Sequence, residues 1–223
     1  MTSPILYFHG FASGPSSAKG RAFEELFGRI GVALHRADLT PGADGFERST
    51  PLTMLAEAEK ALAATGARVV MGSSLGGYLA ALLASRHASV ERLVLLAPAF
   101  RLFERWRARL TPEQVEAWKT EGLWVDHHVT GNRRRIGYRF LEDAATLPAF
   151  PDVRVPALCF AGRRDETVPL EDVAAFVDRT PGARLVALDD GHELVASVPR
   201  IFKETREFLG TTATAATVPE AIR

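Results

Sequence analysis

A serine flanked by glycines stands between an apolar run and a helical stretch. Residues 72–77 read Gly-Ser-Ser-Leu-Gly-Gly, directly after the apolar residues 69–71 and directly before the apolar residues 78–84. A serine on a tight strand-to-helix turn has a strained backbone, and the positions two before and two after it, Gly72 and Gly76, then tolerate no side chain. The following helix directs its N-terminal amides toward the serine. The pattern predicts that Ser74 is a nucleophile and that the amide of Leu75 receives a developing oxyanion.

Other interpretations of these glycines compete with the nucleophile. A phosphate-binding P-loop needs Lys and Ser or Thr after its last glycine, whereas Tyr78 and Leu79 follow Gly77. A dinucleotide-binding fingerprint needs a glycine where Ser74 stands, so that the pyrophosphate can approach the backbone. A glycine turn without chemistry stays open as the third alternative.

A serine hydroxyl needs a base that takes its proton, and the base needs an acid that orients it. Asp165 follows the apolar run 157–161, and His192 follows the run 185–188 in a glycine-containing loop. The order serine, acid, histidine along the chain is the one that this kind of elbow uses. Asp165 and His192 are therefore the predicted acid and base. Glu166 is the other candidate for the acid. The alternative for Asp165 is an ordinary loop carboxylate, and the alternative for His192 is a surface histidine without a catalytic role.

The loop after the first apolar run predicts a second oxyanion donor. There the chain reads His9, Gly10, Phe11, and Gly10 allows a sharp turn that brings the amide of Phe11 opposite the amide of Leu75. The alternative is a glycine turn with His9 hydrogen-bonded inside it.

Short apolar runs alternate with stretches of helical period, which is typical of a parallel sheet covered by helices on both faces. About six buried strands are predicted, at 5–9, 32–36, 68–72, 92–97, 157–161 and 184–188. Helices are predicted at 17–30, 52–64, 75–86, 170–179 and 198–209. The fold class is thus α/β, with three layers and one domain over residues 1–210.

An insertion over about 99–147 interrupts this alternation, and it contains all three tryptophans, Trp106, Trp118 and Trp124. Helical spacing predicts one helix around Trp106, Thr111 and Pro112 predict the start of a second, and alternation at 125, 127 and 129 before Gly131 predicts a hairpin. We expect a lid over the catalytic end of the sheet, with Trp106 and Tyr78 contacting substrate and arginines meeting an anionic substrate. The alternative is an amphipathic helix that packs its aromatic side chains on the body while Arg133, Arg134 and Arg135 stay solvated.

Composition narrows the function classes. The chain has 223 residues, and its 27 basic and 27 acidic side chains cancel, so it lacks the positive field of a nucleic-acid-binding protein. The single Cys159 excludes an intrachain disulfide and a cysteine zinc site. No signal peptide or apolar span is visible, which predicts a cytoplasmic protein without a membrane partner, a monomer or homodimer. Small polar residues predict a disordered tail over 211–223.

The run His9 to Lys19, the Gly-Ser-Ser-Leu-Gly-Gly elbow, Asp165 and His192 together resemble the α/β-hydrolase superfamily, and within it the small bacterial YqiA-like esterases. The resemblance spans nearly the whole chain. It implies a serine hydrolase with a Ser74, Asp165, His192 triad, oxyanion amides from Phe11 and Leu75, and neither cofactor nor metal. The chain departs from the superfamily pattern because the leading antiparallel hairpin is missing.

These observations predict two-step acyl transfer to water from a small-molecule carboxylic ester, through an acyl-enzyme on Ser74. Thioesters and amides use the same machinery, so they remain alternatives. A hydrolase-fold binding protein without turnover is the alternative from a different class.

Overall fold

Six parallel strands form the centre of the molecule. The computed structural model describes residues 3–211, so all but the first residue of the predicted tail lies outside the described residues. These six strands, together with a separate antiparallel pair formed by β5 and β6, are β1 (Ile5–Phe8), β2 (Leu34–Arg36), β3 (Val69–Ser73), β4 (Arg92–Leu96), β5 (Leu123–Asp126), β6 (Arg133–Ile136), β7 (Ala157–Gly162) and β8 (Ala183–Leu188). The main sheet has the order β2-β1-β3-β4-β7-β8, and each neighbouring pair in it is parallel.

Helices cover both faces of this sheet. They are α1 (Ala18–Gly28), α2 (Pro51–Thr65), α3 (Leu75–Arg86), α4 (Leu102–Ala108), α5 (Pro112–Glu121), α6 (Arg139–Ala145), α7 (Leu170–Arg179) and α8 (Val198–Leu209). The side chains of β1 alternate between the faces, with Leu6 and Phe8 among the residues of α2, α3 and α7, and Ile5 and Tyr7 among those of α1 and α8. The predicted three-layer α/β architecture is confirmed.

The predicted helix start at Thr111 and Pro112 is confirmed, and α2 begins with the same signal at Thr50 and Pro51, one residue before the predicted start at 52. Thr50 and Thr111 each accept a hydrogen bond from the backbone three residues later, and the proline that follows occupies the first helical position. The second strand was predicted two residues too long at its start. The amide of Val32 donates to the carbonyl of Phe27 at 3.0 Å and so belongs to the turn that ends α1.

The insertion contains α4, α5, the antiparallel pair β5 and β6, and α6. The predicted hairpin is present, but the alternation beyond Asp126 does not continue as strand. His127 is buried and its ring lies edge-on to Phe46, with centroids 4.9 Å apart, because the chain turns there toward the body. Trp118 is also buried, and its Nε1 donates to the carbonyl of Ile136 at 2.9 Å. The insertion is therefore packed on the body through aromatic side chains.

Within residues 3–211, none of the helices combines the length and the apolar character that crossing a bilayer requires.

Candidate active site

Ser74 lies on the turn between β3 and α3, at the carboxyl edge of the sheet. Its backbone has φ 54° and ψ −119°, a conformation that a residue with a side chain rarely adopts. The turn is tight because a Cβ on Gly72 would lie 2.2 Å from the carbonyl oxygen of Gly76, and one on Gly76 would lie 2.4 Å from that of His9. Both glycines are required by backbone contacts, as the sequence pattern indicated.

A hydrogen-bonded chain links Ser74 to His192 and Asp165. The hydroxyl of Ser74 lies 2.9 Å from Nε2 of His192, and Nδ1 of His192 lies 2.8 Å from Oδ2 of Asp165. Because the carboxylate accepts, Nδ1 carries the proton and Nε2 is the acceptor that faces the serine hydroxyl. The structure thus brings together the three residues predicted from sequence, 91 and 118 positions apart along the chain from Ser74 (165 − 74 and 192 − 74).

The loop after β7 holds Asp165 in its charged form. Burial raises the pKa of Asp165, but the hydrogen bond from His192 and those from two backbone amides outweigh burial, so the pKa lies below its usual value. The amides are those of Thr167 and Val168, and each donates to Oδ1 at 2.8 Å. Sequence analysis missed these two donors. The competing Glu166 is exposed and makes none of these contacts.

The glycine loop after β1 packs against the elbow. A methyl group on Gly10 would lie 3.5 Å from Cβ of Ser74, so the backbone next to Phe11 passes close to the serine. Leu75 is the first residue of α3, where a backbone amide has no acceptor within its own helix. The backbone on both sides of Ser74 is therefore close to the serine, and the role of the Phe11 and Leu75 amides as oxyanion donors stays a prediction.

His9 holds the glycine loop from inside the molecule. Its Nδ1 donates to the carbonyl of Gly10 at 2.9 Å, and its Nε2 accepts from the amide of Leu39 at 3.3 Å. Burial lowers the pKa of His9, and the carbonyl of Gly10 and the charge of Asp38 oppose that shift only in part. The imidazole is therefore neutral, with one nitrogen donating and the other accepting. This is the internally bonded histidine that the sequence left as an alternative, and these contacts of His9 leave the oxyanion role of the Phe11 amide a prediction.

An apolar cavity of about 100 Å³ opens beside Ser74. Its lining residues come from the glycine loop, the elbow, the insertion and the loop after β7: Phe11, Ser74, Leu75, Ala99, Phe100, Leu102, Arg105, Trp106, Arg109, Thr167 and Val168. Trp106 meets the ring of Phe11 edge-on, with centroids 5.1 Å apart. The structure thus places Trp106 at the cavity, where the sequence expected a substrate contact.

Tyr78 is placed differently from the expectation. It is buried beneath the elbow, its hydroxyl donates to the carbonyl of Pro148 at 2.8 Å, and its ring packs against Phe100. It does not line the cavity, because position 78 lies one turn into α3, on the face that packs against the core. The assignment of Tyr78 as a substrate-contacting residue is corrected accordingly.

Several arginines of the insertion bond to the body. Nε of Arg105 donates to Oδ2 of Asp172 at 2.7 Å, and Arg109 donates to the carbonyl of Thr167 at 3.0 Å. Nε of Arg134 donates to Glu47 at 2.6 Å. These guanidinium groups join the insertion to the body. The aromatic packing agrees with the alternative stated above, but Arg134 is bonded to Glu47 and not solvated as that alternative had it.

A larger, polar cleft of about 800 Å³ also reaches Ser74, and it differs from the cavity in being lined by His192. Its remaining walls come from β1, the glycine loop, the start of α1, the turn of the insertion and the loop after His192: Tyr7, Gly10, Phe11, Ser13, Ser16, Ser17, Ala18, Lys19, Arg21, Ser73, His128, Val129, Thr167, Glu193 and Val195. Among residues 3–211 no group of three His, Cys, Asp or Glu side chains is placed to hold a metal ion.

The fold and the elbow define the class of protein. A putative hydrolase from Agrobacterium vitis S4 has 21% sequence identity and a TM-score of 0.78 over 93% of this chain and 88% of its own. Alpha/beta hydrolase domain-containing protein 10 from mouse has 21% identity and a TM-score of 0.79 over 96% and 92%. Est1E from Butyrivibrio proteoclasticus has 22% identity and a TM-score of 0.72 over 93% and 87%. The chain has the α/β-hydrolase fold.

The family follows from sequence. The model of the uncharacterised protein family UPF0227 matches residues 4–209, so the chain belongs to that family. The expected likeness to the YqiA-like group of α/β hydrolases is confirmed. A search of curated protein sequences finds no match to this chain.

Proposed function

We propose that this protein is a serine hydrolase that cleaves small carboxylic esters through an acyl-enzyme on Ser74. The observation that carries the proposal is the hydrogen-bonded chain from Asp165 through His192 to Ser74, at 2.8 and 2.9 Å, on an elbow with positive φ. A strained serine bonded to an oriented histidine is the arrangement that activates a hydroxyl as a nucleophile. Names of structural neighbours such as Est1E and the putative hydrolase agree with this chemistry.

The reaction begins when Oγ of Ser74 attacks the ester carbonyl while Nε2 of His192 takes the hydroxyl proton. The carbonyl oxygen becomes an oxyanion that accepts hydrogen bonds from the amides of Phe11 and Leu75. Asp165 stays ionised and stabilises the imidazolium that forms. The tetrahedral intermediate then collapses, the bond to the alcohol oxygen breaks, and His192 returns its proton to that oxygen.

The second half of the reaction releases the acid. The same histidine takes a proton from water, and the resulting hydroxide attacks the acyl carbon on Ser74. A second tetrahedral intermediate collapses, Oγ of Ser74 recovers the proton from His192, and the carboxylic acid leaves. The enzyme returns to its starting state, and the proposal invokes no cofactor.

The two depressions suggest how an ester is oriented. His192 must protonate the leaving alcohol, so the alcohol lies on the side that His192 lines, which is the polar cleft. The acyl group then enters the apolar cavity beside Phe11 and Trp106. At about 100 Å³ this cavity is smaller than the roughly 300–1,000 Å³ of pockets for drug-sized ligands. A short acyl chain is therefore the substrate class that the site favours.

The proposal is tested by hydrolysis of p-nitrophenyl esters from acetate to long acyl chains. We expect the wild type to prefer short chains and Ser74→Ala to lose turnover by about 10⁴-fold or more. Ser85→Ala is the matched control, because Ser85 lies eleven residues after Ser74, about 16 Å along α3, and donates to the carbonyl of Leu82. Equal activity of Ser74→Ala and wild type would overturn the assignment of Ser74 as the nucleophile.

Two alternatives are outcomes of the same experiment. Turnover of thioester or anilide analogues, but of no oxygen ester, would keep Ser74 as the nucleophile and change the bond that it cleaves. Ligand binding that survives in Ser74→Ala, with no turnover of any substrate by the wild type, would indicate a binding protein with a hydrolase fold.

A further inference from the structure

A buried lysine lies at the base of the polar cleft. The side chain of Lys19, in the first turn of α1, is only 8% exposed, and its Nζ donates to Oγ of Ser73 at 3.0 Å. Ser73 is the residue before Ser74, and successive Cα atoms are about 3.8 Å apart. The ammonium group therefore contacts the residue that precedes the proposed nucleophile, and it lines the cleft to which we assign the alcohol portion of the ester.

The protein neutralises this ammonium only in part. Its carboxylate partner is Glu193, at 3.6 Å between Nζ and Oε2, and the side chain of Glu193 is 72% exposed. At that distance the contact with Glu193 is a long one, and the closer acceptor of the ammonium protons is the neutral hydroxyl of Ser73. Burial accordingly lowers the pKa of Lys19, while Glu193 opposes the shift. A buried cation with incomplete pairing costs stability unless a ligand completes it.

Other groups that line the cleft can donate hydrogen bonds to an anion. Arg21 and the hydroxyls of Ser13, Ser16 and Ser17 line the cleft together with His128. The charges of two further carboxylates also raise the pKa of Lys19, but both carboxylates already accept hydrogen bonds from other groups of the protein. Asp165 is bonded to His192, and Asp190 accepts from the amides of Gly191 and Ser197 at 2.8 and 3.0 Å. Glu193 is therefore the one exposed carboxylate that competes with a bound anion.

We propose that the polar cleft binds an alcohol portion that carries an anionic group, a carboxylate or a phosphate, and that Lys19 forms the ion pair with it. This inference rests on the proposed function for its orientation of the ester. It adds a substrate class: esters with a small neutral acyl group and an anionic alcohol. Lys19 is a specificity-determining residue in this scheme and takes no part in bond cleavage.

The test compares acetate esters of phenols that carry either an anionic or a neutral substituent. The anionic substrates are 3-acetoxybenzoate, 4-acetoxybenzoate and 4-acetoxyphenyl phosphate, and the neutral reference is 4-acetoxybenzamide. We expect wild-type kcat/KM to favour at least one anionic ester by about tenfold, mainly through KM, because a charge-assisted hydrogen bond forms on binding. The substrate with the larger preference identifies the anion as carboxylate or phosphate.

Variants assign that preference to one side chain. Lys19→Met should reduce the ratio of anionic to neutral kcat/KM to about one, Lys19→Arg should retain part of it, and Glu193→Gln should increase it by removing the competing charge. Lys60→Met removes the same charge from an exposed position on α2 and should leave the ratio unchanged. An unchanged ratio in Lys19→Met, or an equal loss in Lys60→Met, overturns the proposal, as does a wild-type ratio of one or less. Lys19→Arg and Glu193→Gln keep the test decisive where Lys19→Met does not fold.

Failure of the proposed function is recognised separately. Hydrolysis of the neutral ester that depends on Ser74 reports on the proposed function, whereas the ratio reports on Lys19. Where no ester is hydrolysed, calorimetric titration with 4-hydroxybenzoate, 4-hydroxyphenyl phosphate and 4-hydroxybenzamide measures the anion site directly. Tighter binding of an anionic phenol that is lost in Lys19→Met supports the site, and equal binding of all three phenols overturns it.

Discussion

Arg105 in the insertion and Asp172 on α7 form an ion pair beside the apolar cavity. Nε of Arg105 donates to Oδ2 of Asp172 at 2.7 Å, Nη2 donates to the same oxygen, and the carboxylate is nearly fully buried. Arg101 adds a longer contact with Asp172 at 3.5 Å. Because Arg105 also lines the cavity, this pair fixes the position of α4 over the proposed acyl site.

Arg105→Met should therefore loosen the insertion and destabilise the protein. Loss of the guanidinium leaves the buried carboxylate with Arg101 alone, and we expect a decrease of about 2 kcal/mol in the free energy of unfolding, measured in urea. Arg107→Met is the control, because Arg107 is exposed and donates only to the nearby carbonyl of Leu110. An equal effect of the two substitutions would contradict a specific role for the pair.

Asp165→Asn should abolish most turnover without unfolding the protein. An amide in place of the carboxylate can donate to Nδ1 of His192, which turns the imidazole to the tautomer that cannot accept the serine proton. We expect kcat to fall by about 10³ to 10⁴-fold, measured with p-nitrophenyl acetate. Glu166→Gln is the matched control and should keep kcat within about twofold, because Glu166 is exposed beside the same loop. A large loss in Glu166→Gln would reverse the assignment of the acid.

Trp106→Ala should shift the preference for acyl length. The indole lines the cavity against Phe11, and its removal enlarges the space that we assign to the acyl chain. The ratio of kcat/KM for hexanoate to that for acetate should rise by about tenfold, or about 1.4 kcal/mol, which corresponds to burial of roughly two of the four added methylenes at about 0.8 kcal/mol each. Trp124→Ala, at an indole that is 53% exposed, should leave this ratio unchanged. The idea fails if both variants retain the wild-type ratio.

His9 predicts a pH dependence of stability. The pKa of His9 is lowered in the folded protein by burial. As pH falls below about 6.5, the pKa of histidine in the unfolded chain, the unfolded chain binds a proton at His9 and the folded protein does not. Stability is complete above pH 6.5 and decreases toward the folded pKa, by up to about 1.4 kcal/mol for each pH unit. His127, whose pKa burial also lowers, contributes in the same direction.

The comparison that isolates His9 uses urea unfolding of the wild type and His9→Asn between pH 7.5 and 5. The asparagine amide can still donate to Gly10, but it has no proton to gain, so its curve should be shallower. His35→Asn, at an exposed position on β2, should follow the wild-type slope. A wild-type slope in His9→Asn would show that the histidine is not responsible.

The sequence alone determined the fold class and the three residues of the candidate site. Period-two and helical apolar patterns depend on local geometry, and the spacing around Ser74 reflects backbone contacts that exclude a Cβ at Gly72 and Gly76. The order of Ser74, Asp165 and His192 then follows from strands whose carboxyl ends share one edge of the sheet. These features can be predicted from the sequence because each depends on residue type within a short segment.

Only the tertiary structure decided what surrounds those residues. Tyr78 and Trp106 are both aromatic and close to predicted elements, yet the orientation of α3 buries Tyr78 in the core and the packing of the insertion brings Trp106 to the cavity. The contact between Lys19 and Ser73 joins positions 54 residues apart, and Arg105 meets Asp172 across 67. Such contacts depend on how whole elements pack, and no local pattern encodes the distance between two side chains from different layers of the fold.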